Sequence, residues 1–135
     1  MEELRKISPD KERARSLVKL ASLRYGKIKT FDEEKESSLI AEGYYEVAKE
    51  LITAILFADG YKTLSHKDLI EYLGLHYSKE FNNLDITLLD HLRRLRNNIV
   101  YYGSFVEPSY IKRNKEDVHK IISKLLELCD KKLNK

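Results

Sequence analysis

The stretch from Leu84 to Gly103 constrains the fold most strongly, because its apolar residues recur at spacings of three and four. The recurring residues are Leu88, Leu92, Leu95, Ile99 and Tyr102. This spacing puts side chains on one face of an α-helix, so the stretch predicts a long amphipathic helix that ends at Gly103. Such a helix has to bury its apolar face against other elements of the fold.

The other faces of this helix carry basic, amide and phenolic side chains. Arg93, Asn97 and Tyr101 form one row at helical spacing, and Arg96 lies on the neighbouring face toward the apolar stripe. Arg94 adds a further cation beside this row. A row of this kind can hold a phosphate or a base edge, and it can equally be a solvated face.

Two helices are predicted before residue 60. Their expected ends are marked by Ser8 and Gly26 for the first helix, and by Asp32 and Gly60 for the second. The second helix has a wide apolar face and is predicted to be the longest. Gly43 inside it indicates a close approach by another helix, because glycine has no side chain.

A short helix is expected after Ser65 and is closed by Gly74, and a last long helix is expected to follow Asn114 as its cap. No segment shows the alternation typical of a β-strand, so no strand is predicted. Four long helices and one short helix predict an all-α chain of a single domain, residues 1–135. The expected architecture is an antiparallel four-helix bundle with up-and-down topology and an additional short helix.

Composition excludes several classes of protein. The formal net charge of +3 is mild and does not by itself argue for a nucleic-acid partner. Cys129 is the only cysteine, no signal peptide is recognisable, and no apolar run approaches the roughly 20 residues of a membrane span. A soluble cytoplasmic protein without membrane contact is therefore expected. No histidine has metal-ligand spacing with another histidine or cysteine, so neither a metal nor a cofactor is expected. Charged residues at 35% and the absence of Gln resemble heat-adapted proteins.

The end of the Leu84–Gly103 helix reads Arg96-Asn97 followed by Ile99-Val100-Tyr101-Tyr102-Gly103. This run resembles the signature of the HEPN (higher eukaryotes and prokaryotes nucleotide-binding) family. It implies an all-α domain and, in the active branch of the family, metal-independent cleavage of RNA in a cleft between two protomers. Arg96 matches the arginine of that signature and Asn97 its polar residue, while Tyr101 stands where the family has histidine.

The tyrosine at this position changes the expected function. Tyrosine has an unperturbed pKa of about 10, so at neutral pH it is a poor general base. The resemblance then favours a binding and interaction module that forms a homodimer and holds RNA or a nucleotide at Arg93, Arg94, Arg96 and Tyr102. It also implies a nucleotidyltransferase-type partner protein in a toxin–antitoxin-like system. The alternative is a metal-independent endoribonuclease that uses Arg96, Asn97 and Tyr101 in a composite site at the dimer interface.

Each of these residues also has a structural interpretation. Arg93 and Arg94 could be a solvated or ion-paired helix face. Arg96, at the border of the apolar stripe, could form a partly buried ion pair with an acidic residue of the second helix. Tyr101 and Tyr102 could be packing residues at a helix end.

Overall fold

A computed structural model describes residues 1–134, and five α-helices make up most of this part of the chain. The helices are α1 (Lys11–Ile28), α2 (Ser37–Asp59), α3 (His66–His76), α4 (Asn83–Tyr102) and α5 (Pro108–Leu133). Two short strands, β1 (Arg5–Lys6) and β2 (Tyr61–Lys62), complete the fold. The predicted number of helices and their order are confirmed. No helix within residues 1–134 has both the length and the apolar character needed to cross a bilayer.

The helix α2 lies at the centre of the fold and contacts each of the other four helices. Its side chains are apolar on most faces, and Tyr45, Leu51, Ile52 and Ile55 are among the most completely buried residues of the core. A helix that is apolar nearly all round has to be surrounded by other elements. The helices α1, α4 and α5 all pack against it, and α3 packs on both α2 and α4.

The structure corrects both predicted ends of α1. Asp10, and not Ser8, is the N-cap, and its carboxylate accepts a hydrogen bond from the Arg13 amide at 3.0 Å. The chain before it is extended because the Ile7 amide donates to the Gly60 carbonyl at 2.9 Å. At the other end, Gly26 keeps a helical conformation and α1 runs two residues further.

The predicted start of α2 was also wrong. Asp32 does not cap the helix, because its carboxylate accepts hydrogen bonds from the amides of Glu34 and Lys35 and closes a turn before α2. The helix itself begins at Ser37. A close approach at Gly43 is confirmed, since a Cβ atom there would lie 2.7 Å from the Cδ1 atom of Ile28.

The end of α3 and the start of α5 also differ from the prediction. Gly74 does not stop α3, which continues to His76. Asn114 does not start α5, because Pro108 already occupies its first turn and the side-chain amide of Asn114 donates to the Tyr110 carbonyl within the helix. With 26 residues against 23, α5 and not α2 is the longest helix of the described chain.

The two strands contradict the prediction that the chain has none. They pair antiparallel with Arg5 opposite Lys62 and Lys6 opposite Tyr61. Strands of two residues are too short to show any alternation in sequence, so only the folded chain reveals them. The ribbon ties the N-terminus to the residues that follow α2.

Both ends of α4 are well defined. Asn82 forms a capping box with Asp85, in which each side chain accepts a hydrogen bond from the other residue's backbone amide. Gly103 adopts the left-handed conformation with φ of 65° and ends the helix, as predicted. The residues of the candidate site therefore lie on the last three turns of a firmly bounded helix.

Candidate functional site

The last turns of α4 project from the core more than the apolar stripe predicts. Leu92 is fully buried, but Leu95 and Ile99 are only partly buried against the core. Tyr102, which the spacing placed in the buried stripe, is largely exposed. The C-terminal end of α4 is therefore a surface and not a packed interface within the chain.

Arg96 is the best-anchored residue of this end. Its Nε donates to Glu46 Oε1 of α2 at 2.9 Å, and Lys49 Nζ contacts the other carboxylate oxygen at 2.7 Å. Its Nη1 also makes a long hydrogen bond of 3.4 Å to the side-chain oxygen of Asn97. This is the ion pair with an acidic residue of the second helix that the sequence allowed for Arg96.

The charges of this pair stabilise each other. Burial raises the pKa of the Glu46 carboxyl, but Lys49 and Arg96 outweigh burial and hold that pKa below its usual range. Burial lowers the pKa of Arg96, while Glu46 and the nearby hydroxyl of Tyr101 raise it above the usual value. Both groups are therefore fully charged at neutral pH. Because Glu46 occupies the Nε edge of the guanidinium, a ligand would have to meet another edge.

Arg93 and Arg94 share one carboxylate. Arg93 Nε contacts Asp90 Oδ1 at 2.9 Å and Arg94 Nη2 contacts Asp90 Oδ2 at 2.7 Å. Burial raises the pKa of Asp90, but the two arginines outweigh burial and lower it overall. Arg93 is mostly covered, whereas Arg94 is exposed. All three arginines that were predicted to bind phosphate are thus ion-paired. Of the two arginines paired with Asp90, only Arg94 remains open to solvent.

Three aromatic side chains are exposed beyond Arg96. The exposed fraction is 68% for Tyr101, 80% for Tyr102 and 89% for Phe105. Phe105, which the sequence reasoning missed, lies in the loop between α4 and α5. The neighbouring residue Val106 anchors this loop, because its carbonyl accepts from the Ser37 hydroxyl at 2.6 Å. We call Tyr101, Tyr102 and Phe105 the aromatic end of α4.

His66, the first residue of α3, lies within electrostatic range of the charged groups of the Arg96 ion pair. Its ring centroid lies 5.8 Å from that of Tyr45. Burial lowers the pKa of His66, and the positive charges of Lys49 and Arg96 lower it further, against an opposing effect of Glu46. The imidazole is therefore neutral at neutral pH. No sequence signal links it to the site, because it lies 30 residues before Arg96 in the chain.

The remaining titratable groups do not assemble a metal site. Within residues 1–134, no three His, Cys, Asp or Glu side chains lie close enough together to hold a metal ion. Cys129 is buried in the core, and burial raises the pKa of its thiol to about 12. A thiol with such a pKa is protonated and unreactive at neutral pH.

The aromatic end and the Arg96 ion pair are therefore the two features that distinguish this surface chemically.

Compared with protein-family models, with curated proteins and with solved structures, the chain matches none of them. The resemblance to the HEPN family accordingly rests on the α4 residues alone.

Proposed function

We propose that this chain is a HEPN-like binding and interaction module that holds RNA or a nucleotide at the C-terminal end of α4. The observation that carries the proposal is the aromatic end of α4, which exposes Tyr101, Tyr102 and Phe105 beside the fixed guanidinium of Arg96. Clustered exposed aromatic side chains mark interaction surfaces. Bases stack on such rings with little dependence on sequence.

The charges near the aromatic end indicate how much of the RNA affinity comes from phosphate contacts and how much from base stacking. Four cations, Arg93, Arg94, Arg96 and Lys49, are balanced by two carboxylates, Asp90 and Glu46, which leaves a net charge of +2. Few counterions are then released on binding, so the affinity for single-stranded RNA should fall only gently with salt. Arg94 is the arginine most available for a phosphate, and stacking on Tyr101 and Tyr102 supplies most of the affinity.

This function predicts a loss of RNA affinity when the aromatic end is removed. The Tyr101→Ala/Tyr102→Ala variant should bind a fluorescent ten-nucleotide oligouridine at least about 30-fold more weakly than the wild type, since each of the two lost stacks contributes about 1–3 kcal/mol. Anisotropy titrations at two salt concentrations measure this change. Both tyrosines are exposed, so the variant should keep its fold.

The matched control is Leu84→Ala, which removes an exposed apolar side chain at the opposite end of the same helix. It should leave RNA affinity unchanged. Equal weakening in the control and in the double variant, or no binding by the wild type, would refute the proposed function.

We also propose that the module is a homodimer. Leu20 and Leu23 of α1 and Leu39 of α2 are exposed along a groove of about 380 Å³ between these helices. Apolar side chains in such a groove are stabilised when a second protomer covers them.

Light scattering should give twice the mass of the 15.9 kDa chain, and Leu23→Glu should reduce the measured mass to that of one chain. A wild-type mass of one chain would contradict the dimer.

Three finer expectations belong to the same proposal. The first is a nucleotidyltransferase-type partner in a toxin–antitoxin-like system, which the family resemblance implies. The second is an antiparallel up-and-down order of α1, α2, α4 and α5, with α3 as the additional short helix. The third is a cytoplasmic location, which the free thiol of Cys129 supports.

A second candidate function is metal-independent cleavage of RNA by Arg96, Asn97 and Tyr101 in a composite site. One observation favours it, which is that the imidazole of His66, within electrostatic range of the Arg96 ion pair, has a lowered pKa and is neutral at neutral pH. A neutral imidazole can accept a proton at neutral pH, which Tyr101 does poorly. The test is RNA cleavage in the presence of a chelator. Cleavage by the wild type that both His66→Ala and Arg96→Ala abolish would favour this function, and no cleavage by the wild type would exclude it.

A further inference from the structure

A second basic site lies away from α4, in a cavity of about 540 Å³ between the β1–β2 ribbon, α1 and α2. Its lining includes three cations, Arg5 of β1, Arg13 of α1 and Lys62 of β2. One acidic residue, Glu3, lines it as well, so the formal net charge of the lining is +2. No residue of α4 lines this cavity.

The three cations of this cavity have no internal counterion. Across residues 1–134, no carboxylate lies within salt-bridge distance of Arg5, Arg13 or Lys62, whereas the arginines of α4 are all paired. Unpaired cations that converge on a concave surface create a positive potential there. The cavity thus brings together three cations that no carboxylate of the described chain neutralises.

The pairing of the ribbon brings two of these charges together. Arg5 lies directly opposite Lys62 in the antiparallel register. Side chains at directly opposed positions have Cβ atoms roughly 5 Å apart, and like charges at such positions are destabilising. An anion bound between them would remove this repulsion. The repulsion is a cost to the ligand-free protein that binding would offset.

The rest of the lining consists of one aromatic ring, two leucines and two threonines. The guanidinium of Arg13 lies over the ring of Phe57, with its central carbon 5.0 Å from the ring centroid. Leu17 and Leu64 form further apolar walls, and Leu64 is almost completely exposed. A solvent-exposed apolar wall beside cations suits a ligand that has both a charged and a flat apolar part.

We propose that this cavity binds a small phosphorylated ligand that carries a flat aromatic group, such as a nucleoside diphosphate. The phosphates lie between Arg5 and Lys62, and the flat group lies against Leu17 and Leu64 beside Arg13. The volume of the cavity is within the range of small-ligand sites. This site is independent of the surface proposed for RNA at the end of α4.

The test is calorimetric titration of the full chain with adenosine diphosphate in a chelating buffer. Lys62→Gln and Arg5→Gln should each weaken binding about tenfold, the loss expected for one charge-assisted contact to phosphate. Lys19→Gln, which removes an exposed cation of α1 outside the cavity, should leave binding unchanged. Inorganic pyrophosphate should bind at least tenfold more weakly than adenosine diphosphate.

Thermal unfolding supplies an independent readout. Without ligand, Lys62→Gln should raise the unfolding midpoint by about 1–4 °C, because it removes the repulsion with Arg5.

Arg96→Ala should not change the affinity for adenosine diphosphate, which separates this site from the surface of α4. No binding by the wild type, or equal weakening by Lys19→Gln, would overturn the site. Pyrophosphate binding as tight as that of adenosine diphosphate would overturn the role of the aromatic group.

Discussion

Replacing Arg96 with alanine should lower the free energy of unfolding by about 2–3 kcal/mol. The reason is that Glu46 would keep its charge in a largely covered position and lose the guanidinium that now binds it at 2.9 Å. Only 17% of the Arg96 side chain and 15% of the Glu46 side chain are exposed, so water replaces the lost contact poorly. Chemical denaturation followed by circular dichroism measures the change.

Arg94→Ala is the matched control, because Arg94 is also ion-paired on α4 but 68% of its side chain is exposed. It should cost less than about 1 kcal/mol, as exposed ion pairs do. A double-mutant cycle of Arg96→Ala and Glu46→Gln should recover a coupling energy of at least about 1 kcal/mol. Equal losses for Arg94→Ala and Arg96→Ala would show that the Arg96 pair does not anchor the site.

The second large effect is expected at Asp59, the last residue of α2. The hydroxyls of Tyr72 and Tyr77 both donate to its Oδ2 atom, at 2.7 and 2.6 Å, and Lys132 of α5 contacts Oδ1. Asp59→Ala leaves two covered phenols and one ammonium group without their acceptor. We expect a loss of about 3–5 kcal/mol in the free energy of unfolding.

Asp117→Ala provides the control for Asp59, since it removes an exposed aspartate from α5. Its effect should stay within about 0.5 kcal/mol. Asp59→Asn keeps one oxygen acceptor for the two tyrosines and should recover part of the loss. If Asp59→Ala unfolds at the same denaturant concentration as Asp117→Ala, the carboxylate does not hold α2, α3 and α5 together.

The helices could be predicted from sequence because apolar periodicity is a local signal that burial reinforces. Gly60 and Gly103 ended their helices as predicted, since both residues adopt positive φ angles. The start of α1 could not be predicted, because it is decided by a distant contact in which the Asp10 amide donates to the Phe57 carbonyl at 2.9 Å. The two-residue strands depend on the same kind of contact, between segments far apart in the chain.

The candidate site was predictable only in part. The sequence showed which polar residues share the end of α4, but the charge state of that surface depends on Glu46, which lies 50 residues earlier. The pKa of His66 on α3 is lowered in part by the charge of Arg96, and Phe105 is exposed next to Val106, whose carbonyl is bound by Ser37 of α2. Such arrangements arise from tertiary packing, which the spacing within one helix does not encode.

The most direct test of the proposed RNA surface is a nuclear magnetic resonance titration of the labelled protein with ten-nucleotide oligouridine. If the account is correct, amide shifts should concentrate between residues 94 and 105, with side-chain shifts for the rings of Tyr101, Tyr102 and Phe105. The amides of Arg5, Arg13 and Lys62 should not move. Shifts confined to those three residues, or no shifts at the end of α4 at saturating RNA, would contradict the proposal.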